Sequence, residues 1–198
     1  MAQSRPPDHA GGLLAIHGVT PQLGRTLTVR SPAVASDGWI DAAHVADGDD
    51  LSPALSWSAV PEVASFAVVV EDPDAPGDEP FLHWMIWDIP GTATGLPPVV
   101  EKTNRPATPA GAIQGLNGAG KRGWYGPKPP AGHGVHRYHF EVFALSTKLG
   151  FEPGVDFKEL VSALKGVTLA SGELVGLYET PERPEIRLSD RHAPDTRT

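Results

Sequence analysis

Asp72 and Asp74 stand two residues apart in Asp72-Pro73-Asp74-Ala75-Pro76, directly after the apolar run Phe66-Ala67-Val68-Val69-Val70. The run reads as a buried strand. Strand spacing sends both acids to one side, and the prolines stop the ladder from continuing. A surface turn draws on the same residue types, so a second cluster has to decide between turn and site. Pro127, Pro129 and Pro130 form a stiff loop with few backbone donors, suited to wall a cavity. The strand after it carries His136-Arg137-Tyr138. Parity places His136 with Tyr138, Phe140, Val142 and Ala144, and Arg137, His139, Glu141 and Phe143 on the other side. A pocket holding Asp72, Asp74, His83, His136 and Tyr138 sets carboxylate acceptors beside imidazole and hydroxyl donors. That chemistry suits a zwitterion, with an ammonium against carboxylate and a phosphate or carboxylate against imidazole. Asp72, His83 and His136 are also the groups that could act as acids and bases in a hydrolase or a small-molecule cyclase.

Other motifs carry less. Gly115 to Arg122 nearly spells a phosphate-binding loop, but Arg122 replaces the magnesium-ligating hydroxyl and no apolar strand precedes it. Gly118, Gly120 and Gly123 match a dinucleotide pattern that also lacks its strand and helix. The chain has no nucleophile elbow. His133, His136 and His139 resemble a metal cluster until parity sends His136 and His139 to opposite faces. His83 and His136 with one Asp leave a two-His-one-carboxylate site as an alternative. No metal or cofactor is assigned.

The elements that must position these groups are short strands. The 198 residues suit one domain, and 40% hydrophobic content supports a core. With 22 Gly and 21 Pro the chain is rich in turns but short of the low-complexity range of about 25–30%. A formal charge of -8 argues against nucleic acid or an anionic membrane as a bulk partner. No apolar stretch approaches a membrane span, the start is too polar for a secretion signal, and cysteine is absent. These features predict a cytoplasmic protein. Residues 1–24 read as a loose lead-in, 25–180 as the domain and 181–198 as a polar tail. Leu27 and Val29 alternate with polar residues as a half-buried strand. His83 to Ile89 and His136 to Leu145 read as further strands, and 92–123 as a long loop, functional or partly disordered. Asp156 with Glu159 predicts a helix start, with Phe157, Leu160, Val161 and Leu164 on one face and Gly166 at the end. A second short helix is expected over Thr168 to Glu173, then a strand from Leu174 to Tyr178.

Together, Ser52-Pro-Ala-Leu-Ser-Trp57, the Asp72 segment, His83 opening a strand, Gly126-Pro-Lys-Pro-Pro130 and Gly134-Val-His-Arg-Tyr138 resemble the phosphatidylethanolamine-binding protein family, in its bacterial and archaeal, Raf kinase inhibitor-like branch. The resemblance implies a mainly β fold: a Greek-key β-sandwich of two antiparallel sheets with one or two short C-terminal helices. It also implies a preformed pocket for phosphate, carboxylate or phospholipid headgroups. Matching positions are Asp72, Asp74, Pro76, Phe81, His83, Lys128, Pro129, Pro130, His136 and Tyr138. A non-trans peptide is implied nearby, at Ala75–Pro76 or Glu79–Pro80. The family label adds a kinase or protease inhibitor as a further function, and a twofold dimer is compatible with a small sandwich. Phe81 stands where some members have Trp, Lys128 where others have Gly or Cys, and Asp50 where Asn is usual.

Overall fold

The computed structural model describes residues 13–182. A four-residue helix α1 (Ala15–Gly18) precedes short strands β1 (Arg25–Thr26) and β2 (Val29–Arg30). Strands β3 (Leu55–Trp57), β4 (Ser65–Asp72), β5 (Phe81–Pro90), β6 (Gly95–Leu96), β7 (Ile113–Gln114) and β8 (His136–Leu145) follow. Helix α2 (Phe157–Leu164) and strand β9 (Thr168–Tyr178) close the described chain. The fold is mainly β. Six strands form one sheet in the order β1-β9-β8-β4-β5-β7, and β2-β3-β6 form a second.

β4 is buried on both faces, in keeping with the unbroken apolar run Phe66–Val70 at its centre. Phe66, Val68 and Val70 pack with Trp84, Ile86, Phe140 and Val142 against Val29, Leu55, Trp57 and Leu96 of the small sheet. Ala67, Val69, Met85, Trp87, Phe143 and Leu145 face the other way, under α1 and α2. α2 forms where its pattern predicts. The Asp156 side chain accepts from Glu159 N at 2.7 Å, and Leu160 and Leu164 are fully buried, each stabilising by about 2 kcal/mol.

Several expectations are corrected. β1 runs parallel to β9, pairing Arg25 with Ala170 and Thr26 with Ser171, so the large sheet is mixed. Gly172 permits this close run, because a Cβ there would lie 2.1 Å from Leu27 O. The expected second helix is strand instead. Thr168 to Tyr178 pairs with β8 along its length, from Ala144↔Ala170 to His136↔Tyr178, and that ladder overrides local preference. The last part of the lead-in is also structured, with Leu14, Ala15 and Val19 buried. Residues 1–12 and the tail from 183 lie outside the described residues. The long 92–123 segment is tied down by buried polar side chains. Gln114 accepts from Trp84 Nε1 and donates to the carbonyls of Glu101 and Thr103. The cis peptide among the described residues is Thr108–Pro109, not Ala75–Pro76 or Glu79–Pro80. The Asp72 turn reverses without one, through Gly77 at φ 137° and an Asp74 N to Asp72 Oδ1 bond of 2.8 Å.

Candidate functional site

β4 ends at Asp72, β5 carries His83, and β8 opens with His136. β4 lies between the other two in the sheet, so three distant segments meet at one end of it. Asp72, Ala75, Pro76, Phe81, His83, Ala119, Tyr125, Lys128, Pro129, Pro130 and His136 line a cavity of about 300 Å³ there. Asp72, His83 and His136 are 2, 3 and 1 % exposed.

The hydrogen bonds set the tautomers. His83 Nδ1 lies 2.6 Å from the Tyr125 carbonyl, which can only accept, so Nδ1 carries the proton and Nε2 is a bare acceptor. That Nε2 lies 4.0 Å from Asp72 Oδ2. His136 Nδ1 donates to the same oxygen at 2.7 Å. His136 Nε2 meets His133 Nδ1 at 2.7 Å, and a neutral His136 accepts there. The result is a chain Asp72–His136–His133, with His83 beside it. Burial holds the His83 pKa below the usual 6.5, against the Tyr125 bond and the Asp72 charge that favour its protonated form. At neutral pH the inner wall therefore presents acceptors: the Asp72 carboxylate and His83 Nε2.

Phe81 packs on His83 with ring centroids 4.8 Å apart. Gly118 makes room for that ring, since a Cβ there would lie 2.8 Å from Phe81 Cε2, and its N donates to Leu82 O at 2.7 Å. Asn117 Oδ1 takes up the neighbouring amides of Ala119 and Lys121. The glycine-rich stretch that resembled a phosphate loop is thus a packing loop. Lys128, about half exposed, reaches Asp47 at the pocket mouth, and that bond raises its pKa. Asp50 anchors the proline wall by accepting from Gly126 N at 2.8 Å, in a left-handed backbone at φ 52°.

Asp74 and Tyr138 stand apart from the cavity. Asp74 turns to Arg137, accepting from its N, Nε and Nη2 at 2.9, 2.8 and 2.7 Å. Burial pushes the Asp74 carboxyl up, but the Arg137 bonds and charge outweigh it and hold the pKa below the usual range. Tyr138 lies behind His83, rings edge-on at 5.0 Å, its hydroxyl buried on the Asp72 side. Burial and the Asp72 charge push that hydroxyl's pKa well up. His139 lies on the opposite face, bonded to Glu173 at 2.8 Å. Among the described residues no group of three or more His, Cys, Asp or Glu is arranged to hold a metal ion. His133 stands out in sequence only through its spacing to His136, Asp50 only as a departure at a family position, and Tyr125 carries no signal of its own that marks it as a neighbour of this cavity.

A two-sheet β protein with an acid–imidazole pocket at a strand end is the class these features define. The chain belongs to the phosphatidylethanolamine-binding protein family, whose sequence profile matches residues 30–179. It is 42% identical over 150 residues to the UPF0098 protein PH1269 of Pyrococcus horikoshii, covering 75% of each chain. It is 38% identical over 135 residues to YbcL of Escherichia coli, covering 67% of this chain and 74% of that one. The crystal structure of E. coli YbcL, described as a member of the mammalian PEBP family, superposes with a TM-score of 0.70 at 35% identity, over 78% of this chain and 98% of that one. The family homologue CT736 from Chlamydia trachomatis gives 0.68 at 32% identity, over 79% and 99%. Among the described residues no helix is long and apolar enough to cross a membrane.

Proposed function

We propose that this protein binds a small ligand through a phosphate or carboxylate group, with a zwitterion of the phosphoethanolamine type as the best chemical match. The observation that carries this reading is the convergence of Asp72, His83 and His136 on one cavity of about 300 Å³ with Lys128 at its mouth. Asp72 accepts from an ammonium, and Lys128 and a protonated imidazole answer the anion. The volume matches a headgroup rather than a whole lipid. Pro76, Phe81, Pro129 and Pro130 form the wall. Asp74 and Tyr138 support it from behind.

The Asp72–His136–His133 chain favours acid–base catalysis as a second reading, because it joins a buried carboxylate to a second imidazole through hydrogen bonds. Asp72, His83 and His136 are then the reacting groups.

Isothermal titration with phosphoethanolamine, inorganic phosphate and ethanolamine tests the first reading. Saturable heat with phosphoethanolamine and weaker heat with each half is expected. A folded protein that gives no heat with any of the three rules it out. Turnover of a phosphoester that disappears in His136→Gln moves the assignment to the second.

A further inference from the structure

The helix-covered face of the large sheet holds a separate cavity of about 650 Å³, between α2, the segment leading into α1 and the Glu79-Pro80 turn. Its walls are largely apolar, with Leu13, Leu14, Phe157 and Val161 among them. One acid reaches it from the sheet. Glu71 is next in sequence to Asp72 but points to the opposite face by strand alternation, and it is only 1 % exposed. Its Oε2 accepts from Ala15 N at 2.8 Å. On the neighbouring strand Glu141 accepts from Ile16 N at 2.9 Å, and its Oε1 is buried with no hydrogen-bond partner among the described residues. Among the described residues no cation figures in the groups that act on either acid. Lys158 and Lys165 both line the cavity, and Lys158 lies 3.7 Å from Glu79 rather than from Glu71. An ionised carboxylate buried without a counter-charge is unfavourable.

From this geometry we infer that the cavity is a second binding site, for an organic monocation: a primary amine on an apolar ring or chain, its ammonium on Glu71 and its body among Leu13, Phe157 and Val161. The ammonium supplies the missing counter-charge and the N–H donors. The volume lies in the range of small-molecule sites, and Leu13, 71 % exposed, is the apolar lip that the ligand body covers. An organic anion is repelled. A neutral molecule of the same shape gains the apolar burial alone. The site lies on the opposite face of the large sheet from the Asp72 cavity, with the Glu79-Pro80 turn between them.

The test uses the full chain and 2-phenylethylamine, with 2-phenylethanol as its neutral counterpart, followed by amide chemical shifts at pH 7.5. Saturable shifts at Ala15, Ile16 and Val161 are expected, with the alcohol binding at least tenfold more weakly. Glu71→Gln keeps an acceptor for Ala15 N and removes the charge, and it weakens the amine at least tenfold. Val161→Trp leaves Glu71 intact, fills the cavity and abolishes binding. A thermal melt of each variant checks its fold. Shifts confined to Tyr125 and His136, equal affinity in Glu71→Gln, or no saturable shift in the unmodified chain each overturn the assignment.

Discussion

Anion binding at the Asp72 cavity must be coupled to a proton. His83 Nδ1 is committed to the Tyr125 carbonyl and Nε2 is bare, so a fully ionised anion finds no donor on the neutral ring. Protonating Nε2 places an imidazolium 4.0 Å from Asp72 Oδ2, an attraction of about 4 kcal/mol at an effective dielectric constant near 20. Burial of the ring outweighs it, because the His83 pKa still lies below 6.5. An anion at similar distance adds a second attraction of about 4 kcal/mol, equivalent to about three pH units. Binding therefore raises the His83 pKa by about three units from its depressed value. Between those two values, affinity falls about tenfold, or 1.4 kcal/mol, for each unit of rising pH. Sulfate is the right probe, since it does not itself titrate near neutrality. Calorimetric titration at fixed ionic strength from pH 6 to 8.5 should show this slope, and His83→Gln should flatten it. Sulfate affinity that is constant across the range, or an unchanged slope in His83→Gln, refutes the reasoning.

Asp74→Ala removes the carboxyl that holds Arg137 by three hydrogen bonds. It should lower stability by about 2–3 kcal/mol in urea titration, while sulfate affinity stays within a factor of about three. Gly126→Ala puts a Cβ 2.3 Å from His44 O and 2.6 Å from Ala46 N. The overpacking should cost about 1–3 kcal/mol and weaken sulfate as the proline wall moves, both read from the same samples. The buried acids under α1, with Glu79 and Glu173 as charged neighbours, make stability fall as pH rises. Burial lifts Glu71 and Glu141 from 4.5 to about 7 and about 9. The folded chain thus holds more protons than the unfolded one from pH 4.5 to about 9, and their stabilising share is complete below 4.5 and lost through that window. Glu141→Gln should shrink the decline in thermal melts between pH 5 and 9, and a wild-type midpoint that rises over this range contradicts the argument.

Much of the frame was legible because it rests on local rules. The β4 run, the β8 strand and the α2 cap each depend on residues within one element, and each forms where its pattern predicts. Parity also placed His139 away from His136, since successive side chains on a strand alternate whatever surrounds them. The failures lie where a partner from elsewhere decides. The Thr168 to Glu173 segment carries no local mark of strand, but β8 offers a full ladder and Gly172 lets Leu27 pass close over it.

The order of residues alone determined which side chains share a face, where strands must stop at proline, and to which family the motifs point. Tertiary structure decided whom each side chain meets. Asp72 and Asp74 look equivalent in sequence, but one takes His136 across a strand pair and the other is claimed by Arg137. Consecutive Glu71 and Asp72 serve two cavities on opposite sides of one sheet. The physical reason is that periodicity sets a side chain's direction, whereas burial, counter-charge and hydrogen-bond geometry depend on strands far away in the chain.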